Sequence, residues 1–108
     1  MNPAIVVVGY NRSDTLKRLL QSVGNATYHN SDIDLIISLD KADNEEDVVK
    51  VANDFEWRFG KKTIRRFPER QGLRKHIIKC GDLTEKYGAV IILEDDLLVA
   101  PDYYEYVK

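Results

Sequence analysis

The chain has few of the features that mark secreted or membrane-spanning proteins. Of its 108 residues only Cys80 is a cysteine, so no internal disulfide can form, and this usage is typical of a reducing compartment. The first apolar run, residues 4–8, is too short for a signal-peptide core or a membrane span. The sequence therefore predicts a cytoplasmic protein without a membrane span, in which Cys80 is a small buried or half-buried side chain of a helix.

The chain also lacks an excess of charge of either sign. It has 16 basic and 18 acidic residues, with a formal net charge of -2, so it offers no general attraction to nucleic acid or to an anionic membrane. We therefore exclude both as partners. The length suits one domain with one core, and leaves little room for two substrate sites. We expect residues 1–108 to form a single domain, or one part of a longer domain.

Strand and helix patterns alternate from one end of the chain to the other. Apolar runs at 4–8, 33–39, 63–67 and 89–93 predict four strands, and Arg65 and Arg66 place the third near a sheet edge. Helical spacing of apolar residues predicts helices at 16–23, 48–59 and about 71–87, with Trp57 on the second packing against the sheet. Strands separated by helices of this length pair in parallel. The predicted fold class is α/β, a Rossmann-like sandwich with a mostly parallel sheet.

Three consecutive acids, Glu94, Asp95 and Asp96, follow the last predicted strand. That strand has the composition of one buried on both faces, so its carboxyl end lies where open α/β sheets bind ligands. Adjacent carboxylates repel one another unless a cation lies among them, and Mg²⁺ or Mn²⁺ prefers such oxygen ligands. A solvated turn is the alternative, but the chain becomes apolar again at Leu97, which favours a metal site.

Parallel strands end at a common rim, so four segments are expected to meet there. They are the turn from Gly9 to Arg12, the lone acid Asp40, the turn 70–75 and the acidic triplet. Arg74 and Lys75 suit a phosphate or a base, although an exposed basic first turn of a helix fits equally well. We assign no role to His29 or His76, which lack metal-ligand spacing, and we expect the tyrosines after Pro101 to serve packing.

Several of these segments resemble the GT-A fold glycosyltransferases, and in particular the donor-binding N-terminal part of the N-acetylglucosaminyltransferase I type. In residues 93–106, Leu-Glu-Asp-Asp-Leu-Leu-Val-Ala-Pro-Asp-Tyr-Tyr-Glu-Tyr, the Asp-x-Asp-type motif of that family is written Glu-Asp-Asp. Residues 7–13, Val-Val-Gly-Tyr-Asn-Arg-Ser, resemble its first strand and turn, and residues 37–46 resemble its second strand. Residues 70–75, Arg-Gln-Gly-Leu-Arg-Lys, match the region before its metal strand. The similarity covers nearly the whole chain in the expected order.

The resemblance implies the metal-dependent transfer of a sugar such as N-acetylglucosamine from a UDP-sugar to a hydroxyl acceptor, with Mn²⁺ or Mg²⁺ as cofactor. It implies that Asp96 is the metal ligand and that Asp40 binds uracil. It also implies that Glu94 and Asp95 contact the ribose and donor sugar or position the water ligands of the metal. The remaining residues of the implied nucleotide-sugar site are Gly9, Tyr10, Arg12, Arg74 and Lys75.

In such enzymes the acceptor site and the catalytic base follow the metal motif, so both are expected beyond Lys108. General-base catalysis needs a carboxylate within reach of the acceptor hydroxyl, and we nominate none here, so the chain alone is expected to be inactive. The alternative is a non-catalytic nucleotide- or metal-binding module. The most specific form of this alternative is a receiver-like regulatory domain, because that fold also has acids at strand ends. Against that alternative, the turn after the first strand lacks an acidic pair.

Overall fold

The computed structural model describes residues 3–29, 32–43, 45–94, 99, 101 and 103–104, without the side chains of Leu73 and Arg74. It has four parallel strands, and each strand is joined to the next by one helix or, before the last strand, by two. The strands are β1 (Ala4–Gly9), β2 (Leu35–Leu39), β3 (Lys62–Arg66) and β4 (Val90–Glu94). The helices are α1 (Ser13–Asn25), α2 (Glu45–Asp54), α3 (Leu73–Gly81) and α4 (Thr84–Tyr87).

The strand order is β3-β2-β1-β4, and every pairing between them is parallel. In the register, Val8 lies opposite Ser38 on one side and Glu94 on the other. The amide of Asp40 continues this pairing by donating to the Gly9 carbonyl at 2.9 Å. The ends of β1, β2 and β4 are therefore level, which confirms the predicted α/β fold and its common rim.

The sheet separates two apolar layers, as the alternation of side chains along β1 shows. Ile5 and Val7 join the larger layer with the buried leucines of α1 and with Val48 of α2. Val6 lies in the second layer together with Cys80 of α3. Successive residues of a strand point to opposite faces, so a continuous apolar strand such as β1 serves both layers. Cys80 is fully buried, as its helical position predicts.

Helix α2 ends earlier than predicted, at Asp54, so Trp57 does not lie on it. The reason is a tertiary contact from β3. The Nζ of Lys62 donates to the carbonyl oxygens of Ala52, Asn53 and Phe55 at 2.8, 3.0 and 2.7 Å, and so satisfies acceptors that the end of the helix leaves free. Trp57 still packs against the larger layer, and its Nε1 donates to the Ile33 carbonyl at 2.7 Å.

The helix predicted at about 71–87 is two helices, α3 and α4. The break falls after Gly81, where Asp82 closes α3 by donating its amide to the carbonyls of Lys79 and Cys80. Glycine and aspartate have low helix propensity, which explains why the chain bends here. Gly88, with a φ of 81°, ends α4, and its amide donates to the Thr84 carbonyl at 2.7 Å.

Strand β4 is less buried than its composition predicts. Only Leu93 is buried, while Val90, Ile91 and Ile92 are half-buried. Among the described strands β4 pairs with β1 alone, so it forms one edge of the sheet. The expectation of a strand buried on both faces was therefore wrong. Strand β3 forms the other edge, as its two arginines predict.

The described residues after β4 are bound to α1 and to the start of β1. The amide of Val99 donates to Ser22 Oγ at 3.3 Å, and the hydroxyl of Tyr104 donates to the Pro3 carbonyl at 2.7 Å. Tyr103 shares a 2.7 Å hydrogen bond with the hydroxyl of Tyr28. Their rings form an aromatic cluster, whose members are Tyr28, Trp57, Phe59, Tyr103 and Tyr104. The prediction that Tyr103 and Tyr104 serve packing is confirmed.

Candidate functional site

A cavity of about 260 Å³ opens at the carboxyl rim of the sheet, and we call it the rim cavity. Four segments line it: the end of β1 and the turn after it, the residue after β2, the turn into α3, and the end of β4. The lining residues are Val8, Gly9, Tyr10, Asn11, Arg12, Asp40, Arg70, Gly72, His76 and Glu94. The structure thus brings together the four segments that the sequence places on one rim, with Glu94 as the described member of the acidic triplet. Asp95 and Asp96 lie outside the described residues.

Asp40 holds the turn into α3 against β2. Its carboxylate is buried, with 4% of the residue exposed. Oδ1 accepts the amides of Lys41 and Gln71 at 2.8 and 2.7 Å, and Oδ2 accepts the amide of Gly72 at 2.9 Å. Each carboxylate oxygen has about two acceptor positions, so Oδ1 is saturated and Oδ2 retains one. Asp40 can therefore accept one further hydrogen bond from a ligand, through Oδ2.

Gly72 gives this turn its shape. It precedes α3 with a φ of 77°, a backbone conformation that residues with a side chain rarely adopt. A Cβ added here would meet nothing within 4 Å, so the requirement for glycine comes from the backbone conformation and not from crowding. The conformation directs the amide of Gly72 to Asp40 Oδ2 and allows α3 to begin beside the rim cavity.

Two arginines border the rim cavity. The guanidinium of Arg70 lies over the ring of Tyr10, 4.9 Å from its centroid, and both residues also line a neighbouring cavity of about 370 Å³. Arg12 is exposed in the turn after β1. Guanidinium groups suit phosphate oxygens because they donate two parallel hydrogen bonds. Arg70 lies in the turn that the sequence places at the rim, but it was not predicted as a site residue because its contact with Tyr10 arises only on folding.

The basic pair at the start of α3 consists of Arg74 and Lys75. Lys75 is exposed and does not line the rim cavity, and the side chain of Arg74 is not described. His76 and Cys80, four residues apart, form the buried side of this helix, so Lys75 projects away from it. Lys75 therefore lies on the exposed side of the first turn of α3, which is the alternative to a ligand contact that the sequence left open.

His76 is a cavity residue to which the sequence gave us no reason to assign a role. It is 1% exposed, and its Nε2 lies 2.8 Å from the hydroxyl of Ser38. Burial lowers the pKa of His76; the nearby Asp40 acts against this effect, and Arg65 reinforces it. The imidazole is therefore neutral at pH 7. The available signal was the four-residue spacing from Cys80, which places His76 on the inner face of α3 beside the rim.

No group of three or more His, Cys, Asp or Glu side chains that could hold a metal occurs within the described part of the chain. Glu94 is half-buried at the end of β4 and lines the rim cavity with Asp40. The donors that both supply are carboxylate oxygens, which are the ligands that Mg²⁺ and Mn²⁺ prefer. Because Asp40 already accepts three backbone amides, Glu94 is the described carboxylate of the rim cavity that fits a hard divalent cation in chemical type.

A parallel sheet with a polar cavity beyond its carboxyl ends is the arrangement in which open α/β domains bind ligands. The chain matches the family described as glycosyl transferase family 2 over residues 4–107, and it belongs to that family. This membership confirms the prediction of a GT-A type glycosyltransferase and implies a nucleotide-sugar donor and an acceptor as its partners. No curated protein matches the chain. No helix in the described ranges is long and apolar enough to cross a membrane.

Proposed function

We propose that the chain is the donor-binding part of a metal-dependent glycosyltransferase that uses a UDP-sugar. The rim cavity carries this proposal, because it combines one buried acceptor, Asp40, with the guanidinium groups of Arg12 and Arg70. A nucleoside diphosphate has the matching groups, namely a hydrogen-bonding base and two anionic phosphates. The family match supports a nucleotide-sugar donor of this kind.

The base binds at the inner end of the rim cavity in this proposal. The free acceptor position on Asp40 Oδ2 suits the ring N–H of uracil. His76 lines the same cavity and adds a neutral imidazole, and the ring of Tyr10 adds an apolar surface beneath Arg70. The base is thus met by one free acceptor position, a neutral imidazole and an apolar ring surface.

The diphosphate binds at the outer side of the rim cavity, where Arg12 and Arg70 are exposed to solvent. Asp96 is the proposed metal ligand, with Glu94 and Asp95 beside it contacting the ribose and donor sugar. When bound, Mn²⁺ or Mg²⁺ supplies Lewis-acid stabilisation of the diphosphate leaving group. The two arginines orient the phosphates and neutralise part of their charge.

The proposed donor sugar is N-acetylglucosamine, and the proposed acceptor is a hydroxyl group. The resemblance in residues 93–106 favours N-acetylglucosamine as the sugar, transferred to a hydroxyl group. Of the described carboxylates in the rim cavity, Asp40 is bonded to three backbone amides, and Glu94 belongs to the proposed metal segment. We assign neither as the catalytic base, and we expect this chain alone to bind its donor without turnover.

Calorimetry with UDP, in the presence and absence of Mn²⁺, tests the proposal. We expect Mn²⁺ to tighten UDP binding to the wild-type chain and to have no such effect on Asp96→Asn. Asp82→Asn is the matched control, because Asp82 is an exposed acid at the end of α3 that does not line the rim cavity. Binding that ignores Mn²⁺ would refute the metal assignment, and a folded chain that does not bind UDP would refute the donor assignment.

A further inference from the structure

A buried chain of hydrogen bonds links β2, β3 and α3 behind the rim cavity. The Nε of Arg65 donates to Ser38 Oγ at 3.1 Å, and its Nη2 donates to Cys80 Sγ at 3.2 Å. The same Ser38 oxygen lies 2.8 Å from His76 Nε2. Ser38 and Cys80 are fully buried and His76 nearly so, and water therefore has little access to this network.

The position of each proton follows from the acceptors available. A serine hydroxyl has one proton and two lone pairs, and one lone pair of Ser38 accepts from Arg65. Among the described residues, His76 Nε2 is the one acceptor for the hydroxyl proton. If Nε2 carried a proton instead, two donors would face the Ser38 oxygen and the buried hydroxyl would lose its acceptor, which is unfavourable.

We infer that Ser38 and Arg65 are positioning residues that hold His76 as a neutral imidazole with its proton on Nδ1. The inference stands on the three bonded side chains and on their burial. An imidazolium would carry a proton on each ring nitrogen, so the network opposes protonation as well as the other tautomer.

The charges around His76 act in both directions. Asp40, at the end of β2, favours the cation, whereas burial and Arg65 of β3 oppose it. Lys79 of α3 lies 5.2 Å from the ring centroid of Phe67, which itself packs edge-on against the His76 ring. The remaining charged groups of the rim cavity are Arg12, Arg70 and Glu94. Burial and Arg65 together outweigh Asp40, so the neutral state of His76 is favoured.

This protonation state has a consequence for base selection, which rests on the proposed function. His76 lines the rim cavity, and its Nδ1 makes no hydrogen bond to a described residue, so we assign the Nδ1–H as a donor to a ligand bound there. Asp40, which lines the same cavity, offers an acceptor position at Oδ2. Uracil presents a carbonyl next to a ring N–H, whereas cytosine presents an amino group next to an unprotonated nitrogen. Ser38 and Arg65 thereby set a preference for uridine over cytidine diphosphate.

Nitrogen NMR of the ligand-free chain tests the tautomer without reference to nucleotide binding. His29→Gln removes the other histidine, so the ring signals then belong to His76. We expect a single neutral Nδ1–H tautomer near pH 7. In Ser38→Ala we expect mixed tautomers, and in Arg65→Met we expect protonation at higher pH, while Arg66→Met keeps the wild-type signals. Arg66 lies next to Arg65 on β3, but it is exposed and pairs with Glu45 at 3.5 Å.

Affinities for UDP and CDP test the selectivity. We expect the wild-type chain to prefer UDP, and Ser38→Ala, which leaves Nε2 without its donor, to reduce that preference about tenfold or more. An Nε2–H tautomer or an imidazolium near pH 7 in the wild-type chain would overturn the inference. Equal affinities for UDP and CDP would overturn its consequence for selectivity. If the tautomer is as inferred but UDP does not bind, the proposed function fails and the positioning role stands.

Discussion

Replacing Asp40 with asparagine tests whether one carboxylate organises the rim cavity. The substitution keeps the shape of the side chain and one acceptor oxygen, which can still accept the amides of Lys41 and Gln71. The new amide group then faces the amide of Gly72, which loses its acceptor. An unsatisfied donor costs about 1–3 kcal/mol, and the two remaining bonds weaken because the acceptor is no longer charged.

Gln71 and Gly72 are half-buried, so water will satisfy part of this loss. We therefore expect Asp40→Asn to lower the free energy of unfolding by about 1.5–3 kcal/mol. The loss should be concentrated at the start of α3. Urea denaturation measures the global effect, and hydrogen exchange at the amides of Gln71 and Gly72 measures the local one.

Asp43→Asn is the control, because Asp43 is an exposed acid shortly after Asp40. It should change the free energy of unfolding by less than about 0.5 kcal/mol. If Asp40→Asn were no more destabilising than this control, and the Gly72 amide kept its protection from exchange, Asp40 would not be holding the turn. The argument for a single free acceptor position on Oδ2 would then fail as well.

Two further substitutions test other parts of the fold. Gly72→Ala should destabilise the chain by about 1–2 kcal/mol in thermal denaturation, because alanine is strained at a φ of 77° although its Cβ meets no atom. The control is Gly81→Ala, because the added Cβ there also meets no atom and Gly81 lies in a helix. Burial raises the pKa of Tyr103 to about 12, so its neutral form stabilises the fold below pH 10 or so, and this contribution disappears as the pH rises towards 12. Tyr103→Phe should therefore flatten the fall in urea stability over that interval, and an unchanged slope would show that Tyr103 does not cause it.

The fold was predictable because the apolar patterns of the sequence match the surfaces that the strands and helices bury. The apolar runs of β1 and β2 and the helical spacing in α1 correspond to continuous buried surfaces. Helix ends that depend on distant residues were not predictable. Lys62 ends α2 through contacts with its last carbonyls, and the apolar spacing at Phe55 gives no sign of that contact. The partial exposure of β4 likewise depends on which strands flank it.

The candidate site was predictable as a position and less so as a set of contacts. The rule that parallel strands end at one rim correctly brought Asp40 and Glu94 to the same cavity. It could not show that Asp40 holds the turn into α3. It also could not identify His76, because the side chains of its hydrogen-bond network, Ser38 and Arg65, come from two strands distant from α3 in sequence. Contacts between residues far apart in sequence leave no local pattern.

Tyr10 and Arg70, which form a cation–π contact, line both the rim cavity and its neighbour. A change in this contact therefore alters both cavities. A cation–π contact at an exposed position contributes about 0.5–1 kcal/mol, which a bound molecule can readily replace. The end of β1, which also lines the rim cavity, is fixed by pairing on both edges. A bulkier ligand is therefore accommodated more readily by movement of the Tyr10 and Arg70 side chains than by movement of β1.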